Sequence, residues 1–394
     1  MIAETLTPTP TGATAGNAAP LPARVDVVVI GGGTAGCSAA LHLAQAGRSV
    51  ILFEQRQCGS QASGANYGGV RQQGRCPEEI PISFRARAMW DRLPEIVGHA
   101  CGFQATGHIK LARTEADFAT LEDWAEMARG HGLTVTLMTG NRLRDRHPYL
   151  GTAVYGGSLC ATDGQANPRL VAPLFAKAAR AAGADVREHT PVAHLERDGA
   201  GAGFRVGLAD GRAVRADVVL NTAGAWGAGL AAQMGETYDE SVLSPNMLVT
   251  EPLPLTLTAN YGICGGDIYV RQTARGNIVF GGGRGVSDLA TLWSRPDSGS
   301  SARASRSGVD LLPLLRSANI IRSWTGIEGR MPDDRPVLGE SPSVPGLFHA
   351  FGFSGHGFAL GPAVGSVLAD LVLEGRTETD IGGLTPRRFL KPRP

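Results

Sequence analysis

Residues 25–36 read Val25-Asp26-Val27-Val28-Val29-Ile30-Gly31-Gly32-Gly33-Thr34-Ala35-Gly36, a β-branched run that ends abruptly in three glycines. Such a run, apolar without alternation, reads as a strand buried on both faces, as in a parallel sheet. Cys37–Ala46 follows as an alanine-rich helix with Gly47 at its end, where a left-handed residue closes a helix at least cost. Ser49–Phe53 is a second strand, closed by Glu54. Strand, glycine turn, helix and strand make a complete βαβ unit. Gly31, Gly33 and Gly36 hold the G-x-G-x-x-G positions, which supply a tight turn, close approach to a pyrophosphate and helix–strand packing. Glu54 lies 54 − 36 = 18 residues beyond the third glycine, where a carboxylate accepts hydrogen bonds from a ribose. The helix N-terminus offers unpaired N–H groups to the phosphates. This segment binds a dinucleotide.

The rest of the chain sets limits on what surrounds that unit. At roughly 150 residues per domain, 394 residues allow two domains or one composite domain. The 37 basic and 36 acidic side chains nearly cancel, so there is no general positive field of the kind nucleic-acid binding needs. With 43% hydrophobic and 19% charged residues, the chain can bury a sizeable core. The 54 glycines are about twice the usual ~7%, which points to tight turns and close backbone approach to a ligand. Cys37, Cys58, Cys76, Cys101, Cys160 and Cys264 form no C-x-x-C pair, so reduced thiols are expected and no zinc or iron–sulfur site. His189 and His194 have no further ligands near them in sequence, and no metal site is expected there. Residues 1–24 read as a disordered tail without a secretory leader. No apolar run approaches the ~20 residues that span a bilayer, so a soluble, cytoplasmic protein is expected.

Further along, Gly59–Gly74 reads as a loop. Ile82–Ile96, Phe118–Arg129, Leu170–Ala182 and Gly361–Leu373 read as helices. Leu121, Trp124 and Met127 mark the core stripe of the second of these. Short strands are expected around Phe204–Leu208, Asp217–Leu220, Ile268–Arg271 and Asn277–Phe280, and Ser294–Gly308 as an exposed Ser/Arg-rich loop. βαβ and antiparallel signals together predict two interleaved lobes: an α/β, Rossmann-like cofactor-binding domain (25–85, 156–240 and 323–380) interleaved with an antiparallel-sheet α+β substrate domain (86–155 and 241–322).

Two more glycine-rich patches extend the cofactor site. Asp217–Asn221 ends in Thr222-Ala223-Gly224-Ala225-Trp226, and Phe351-Gly352-Phe353-Ser354-Gly355-His356-Gly357-Phe358 precedes the last helix. One nicotinamide would not need three such patches; a longer, extended FAD would. With Ala62–Arg71, with Arg322-x-Trp324-Thr325-Gly326-Ile327-Glu328-Gly329 and with Pro332-Asp333-x-x-Pro336-Val337-Leu338-Gly339, the span from Val25 to Leu373 resembles the D-amino acid oxidase/sarcosine oxidase family of FAD-dependent oxidoreductases. Among its members the chain is most similar to sarcosine oxidase β, proline dehydrogenase β and opine oxidase-like subunits.

That resemblance implies roles. Gly31, Gly33, Thr34, Ala35, Gly36, Glu54, Gln55 and Arg56 would hold the adenosine diphosphate half, and Val192 would meet the adenine through its backbone. Ser63, Ala65, Asn66, Gly68, Gly69 and Val70 would line the flavin ring. Ala223, Gly224, Trp226, Gly326, Gly352, Ser354, Gly355, His356, Gly357 and Phe358 would complete its surroundings. Arg71 would clamp a substrate carboxylate in bidentate fashion, against the plainer reading of an internal salt-bridge partner. Tyr269 and Arg271, two apart on a strand, point the same way, into a substrate cavity or into solvent. His356 is either an acid–base group or, between glycines, a backbone contact.

The implied reaction is oxidation of an amino acid or secondary amine to an imine by hydride transfer to flavin. Single-chain sarcosine oxidases carry a lysine over the flavin on the strand resembling Asn277–Gly281; that position is Val279 here, and the lysine following the final glycine loop is Ala359. Lysine occurs only at 110, 177 and 391. These departures favour electron transfer to a partner subunit or carrier over an oxidase that makes hydrogen peroxide. The cysteine that tethers flavin in those enzymes has no counterpart near Arg322–Thr325, so the FAD is expected to be non-covalent. An FMN at a subunit interface is left open. Beside this reading stand a nicotinamide-dependent dehydrogenase using the first motif alone, and a flavin-holding subunit that only relays electrons.

Overall fold

The computed structural model describes residues 20–199 and 203–389. Arg24–Ile30 lies at the centre of an eight-stranded sheet, between Ala213–Asn221 and Val50–Phe53 and parallel to both. Asp185–Arg187 extends the sheet beyond Val50–Phe53, and Leu347–Phe351 extends it beyond Ala213–Asn221. Antiparallel Val337–Glu340 closes that edge, and the hairpin of Val192–Arg197 and Phe204–Leu208 joins Ala213–Asn221. The alternation of the central strand explains its unbroken apolar sequence. Val27 and Val29 enter the core under the helices, while Val28 and Ile30 enter a second core beneath the hairpin; each face removes its side chains from water.

The second eight-stranded sheet runs Ile320–Thr325, Pro245–Pro252, Asn277–Arg284, Tyr269–Gln272, Asn260–Ile263, His108–Ala112, Gly156–Cys160 and Thr136–Thr139. All its pairings are antiparallel except that of Asn260–Ile263 with His108–Ala112. Ile109, Tyr261, Val270, Ile278 and Phe280 turn to a core covered by the helix Ser298–Leu311. Because side chains alternate along a strand, Val279, Arg271, Asn260 and His108 in one row, and Gly281, Tyr269, Gly262 and Lys110 in the next, share the opposite face. The structure thus has the mixed architecture expected from the sequence, a Rossmann-like α/β part and a mainly antiparallel sheet.

Several local expectations need correction. Ser294–Gly308 is not an exposed loop: Ser298–Leu311 is a helix, begun by Asp297, which accepts from Ser300 N at 2.6 Å, with Ser300, Ala304, Gly308 and Leu311 buried. Small residues at helical spacing carried the signal. The helix expected over 82–96 is two, Ile80–Asp91 and Leu93–Val97, broken before Pro94. In Glu115–Gly130 the buried stripe is Leu121, Ala125 and Ala128, with Trp124 and Met127 half-buried. The expected tail lies outside the described residues for 1–19, but Arg24 already begins a strand and Pro20 O accepts from Arg187 at 3.0 Å. Strand Gly156–Cys160, grouped by sequence with the cofactor lobe, pairs in the second sheet, whereas Trp90, Leu93 and Val97, grouped with the substrate lobe, pack in the first core.

Gly357–Glu374 has a mean hydropathy of 1.4, enough in length and composition to cross a membrane. It is apolar because it is a core helix, packed against Thr34–Gln45 and Ile80–Asp91. Its approach to Thr34–Gln45 is set by Gly361 and Gly365. A Cβ on Gly361 would stand 2.8 Å from Thr34 Cβ, and one on Gly365 2.5 Å from the Ala39 backbone nitrogen. Ser38 Oγ donates to Pro362 O at 2.8 Å across this seam. Gly365→Ala, meeting backbone that cannot yield, is expected to destabilise the fold by roughly 1–3 kcal/mol. Gly130→Ala, with open space around the new methyl, should leave the melting temperature within a degree or two; equal melting of the two variants would contradict this packing.

Candidate functional site

The glycine turn after the central strand is shaped by contacts no other residue allows. Gly31 has φ +109°, and a Cβ there would collide with the Thr222 carbonyl. Thr222 Oγ1 donates to Gly31 O at 2.9 Å, tying the first strand to its neighbour. Gly36 faces the Gly31 carbonyl, so any side chain would push helix and strand apart. The helix Thr34–Gln45 then begins with no acidic residue in its first turn and no side-chain cap from Gly33; Thr34 N donates to Ser63 Oγ at 3.0 Å, and the N–H groups that follow are left to a ligand. Glu54 accepts from Gly32 N at 2.7 Å and from Arg56 N at 2.8 Å, and burial raises its carboxyl against those lowering bonds.

A cavity of about 450 Å³ opens from this turn. Gly31, Gly33, Thr34 and Ala35 form one end with Glu54, Gln55 and Val192; Ser63 and Asn66 form one wall; Ala223, Gly224 and Trp226 face them. Gly352, Gly355, Gly357 and Phe358 close the far end. Gly36, Arg56, Ala65, Gly68, Gly69, Val70, Gly326, Ser354 and His356 stand behind these walls. Val70 is a core residue, Ala65 and Arg56 border a separate cavity of about 300 Å³, and Ser354 supports the last turn. That turn is held in left-handed conformation at Gly352, Ser354 and Gly355, with Ser354 N donating to Gly329 O at 2.9 Å. Sequence reasoning missed Thr222, Gln61, Gly229, Gln233 and Glu328, which also line the cavity. Thr222 and Glu328 sit inside motifs already noted, at positions given no role there; Gln61, Gly229 and Gln233 are brought in by tertiary pairing and leave no local pattern.

The wall carrying Asn66 is braced on both sides. Asn66 Nδ2 donates to Ala62 O and Ser63 O, each at 2.9 Å, and its Oδ1 accepts from Gly68 N at 2.8 Å. Trp324 Nε1 donates to Ala65 O at 2.6 Å from the second sheet. The facing turn rests on a buried relay. Asn221 Nδ2 donates to His349 Nδ1 at 3.2 Å, which leaves the His349 Nε2–H for Glu236 at 2.7 Å. Burial opposes the Glu236 charge, but bonds from His349, Ser341 and Ser343 outweigh it and hold the carboxyl at about 2.

The candidate substrate residues fall into two groups. Arg271 and Tyr269 do not line the cavity but stand behind its Asn66 wall, Arg271 against Gly68: Arg271 Nε donates to Tyr67 O and Nη1 to Gln165 Oε1 at 3.3 Å, and the Tyr67 and Tyr269 rings pack tilted with centroids 4.8 Å apart. Arg271 is 8% exposed, and burial brings its guanidinium down to about 10, still charged at neutral pH. Arg71 does not border the cavity; its Nη1 donates to Gln73 O at 3.0 Å, near Lys110 across Gly74. His356 turns its ring away, Nδ1 meeting Glu79 at 2.8 Å. Burial, then Arg75, pushes that imidazole down to about 4, while Glu79, buried but bonded to His356 and near Arg75, sits at about 2. The pair is therefore neutral imidazole donating to carboxylate, a brace between the last turn and residues 77–79.

Residues 26–371 match the family described as DAO, FAD dependent oxidoreductase. The chain belongs to this family. It is 29% identical over 376 residues to a glycine oxidase of Geobacillus kaustophilus (strain HTA426), a match spanning 93% of this chain and 98% of that one. A subunit of an opine oxidase of Rhizobium meliloti is 27% identical over 377 residues, with the same coverage. The solved L-proline dehydrogenase of P. horikoshii superposes with a TM-score of 0.85 at 27% identity, over 94% of this chain and 98% of that one.

The cavity fits FAD on its own chemistry. Thr34 Oγ1 is buried at the helix N-terminus without a hydrogen-bond partner, Glu54 retains lone pairs toward the cavity side, and a side chain on Gly224 or Gly229 would meet only open space. Glu54→Ala removes the acceptor for Gly32 N and for a ribose, and is expected to weaken FAD binding about 10–100-fold, the loss of one or two hydrogen bonds to a charged group. Fluorescence titration of apoprotein with FAD checks this; unchanged affinity would remove Glu54 from the cofactor site.

Proposed function

We propose that this FAD-dependent oxidoreductase converts a zwitterionic amino acid, or a secondary amine bearing a carboxylate, to its imine and passes the electrons to a partner subunit or carrier. The observation that carries this reading is Arg271, a buried arginine packed on Gly68 just behind the Asn66 wall of the cofactor cavity, which no carboxylate pairs with among the described residues. An unpaired buried cation is costly, and a substrate carboxylate is its natural complement. Tyr67 O and Gln165 fix the guanidinium by two of its five donors, and the rest stay available for the substrate. The tilted Tyr67 and Tyr269 rings, next to that guanidinium, would offer the substrate's α-carbon an apolar surface that keeps water away. Bound FAD supplies the two-electron acceptance; the chain supplies binding and orientation. No cysteine borders the cavity, in keeping with non-covalent FAD. The relatives named as a glycine oxidase, a proline dehydrogenase and a subunit of an opine oxidase support the substrate class and the option of a second chain.

Val279 lies directly across from Arg271 on the site-facing side of the sheet, so no ammonium group stands at that position to assist oxygen. A second reading, direct oxygen reduction, is favoured by one finding. Lys110 shares that face, two strands from Tyr269, and burial followed by Arg71 lowers its ammonium. Turnover in air against turnover with an artificial carrier separates the two: the carrier should be faster by at least tenfold, and equal rates would favour the oxidase.

Anaerobic mixing of FAD-loaded protein with sarcosine, proline, opines and D-amino acids is expected to bleach the flavin with at least one of them. Arg271→Lys should raise the half-saturating concentration of that substrate about 10–100-fold. It should have little effect on an amine that lacks a carboxylate. Equal losses on both kinds of amine, or none, would remove the carboxylate clamp.

A further inference from the structure

Glu328 forms no side-chain hydrogen bond or ion pair among the described residues. It begins the short strand Glu328–Arg330, opposite Leu243, and lines the cavity. Its Oε2 is sealed from solvent and has no hydrogen-bond partner. Neighbouring elements offer it no cation. From the strand Tyr269–Gln272 it meets Tyr269, whose hydroxyl is turned away to Asn246 O at 3.1 Å. From the last turn it meets Gly355, where a Cβ would stand 3.8 Å from Oε2, and the adjacent His356 is committed to Glu79. Arg330, two residues on, is bound to Asp334 at 2.6 Å. From the side of Ser241–Leu243, Glu240 is turned to Ala228 N at 3.0 Å. Arg271 is held by Tyr67 O and Gln165. The site therefore has a cationic end without an acid and an acidic end without a cation. A zwitterion supplies both missing partners at once.

We propose that Glu328 is a catalytic base: its Oε2 receives the ammonium of the bound substrate and takes one proton from the nitrogen. The N–H bond breaks, an O–H bond forms on Glu328, and the nitrogen lone pair is free when the α-C–H bond gives up its electron pair to the cofactor. The proton leaves with product exchange. This assignment rests on the amino-acid reading above. Burial alone raises the Glu328 carboxyl to about 7, which suits a group that accepts a proton near neutral pH.

The test is anaerobic stopped-flow reduction of the FAD-loaded protein by sarcosine or proline, whichever reacts faster, between about pH 6 and pH 10, for wild type, Glu328→Gln and Glu328→Asp. The wild-type rate should rise through about pH 7 and then level. Glu328→Gln must wait for substrate that is already neutral; with an alkyl ammonium titrating near ~10, it should be slower by about 10²–10³-fold at pH 7 and recover as pH rises. Glu328→Asp should keep a neutral-pH limb at reduced rate. A Glu328→Gln profile equal to wild type, or lowered by one factor at every pH, overturns the base. So does a wild-type limb near 10 in place of 7, which needs no variant to be stable. Flavin that no amine reduces would overturn the amino-acid reading itself, whereas reduction with an unaltered Glu328→Gln profile overturns only Glu328.

Discussion

The close seam between the helices Thr34–Gln45 and Gly357–Glu374 is the constraint from which the site follows. Gly361 rests on Thr34 and Gly365 on Ser38 and Ala39, so the two helix axes approach as near as backbone allows. Their N-termini, one after the glycine turn and one after the His356 turn, then open into a single cavity. Neither first turn contains an acidic side chain, so each end contributes roughly half a positive charge. An anionic cofactor reaching from one to the other finds both. A methyl group at the seam would part the helices and separate the two ends of the site.

Behind the Asn66 wall, one face of the second sheet carries His108, neutral through burial, with Arg271 and Lys110, while Glu328 lines the cavity itself. The acids near the cationic end are already engaged: Asp163 accepts from Gln72 N and Gln73 N at 2.7 and 3.1 Å, and Glu79 holds His356. In a low-dielectric interior such unpaired groups are tolerated where a ligand completes them.

How much of this was legible depended on sequence range. The βαβ unit and Glu54 were readable because 30 consecutive residues carry strand, turn, helix and acid at fixed spacing. Tyr269 and Arg271 were readable as a same-face pair, since two-residue periodicity is a property of any strand. Glu328 was not: it sits inside the motif spanning 322–329, but its importance is the absence of a cation near it, which only packing reveals. Arg71 looked like a clamp from its place after the flavin loop, yet its guanidinium turns to Gln73 O. The helix Ser298–Leu311 was hidden because serine and alanine, not leucine, make its buried stripe. Lys110 is far from the other site residues in sequence, and only the parallel pairing of His108–Ala112 with Asn260–Ile263 returns it to their face.

The central claim is that the substrate lies between Arg271 and Glu328 with a fixed polarity. A crystal structure of the FAD-loaded protein holding a carboxylated amine that binds but does not react measures this directly. The account requires the carboxylate on the Arg271 guanidinium and the nitrogen within hydrogen-bond distance of Glu328 Oε2. A ligand bound in the reverse sense, or with its carboxylate on Arg71 or Lys110 and Glu328 untouched, would contradict it.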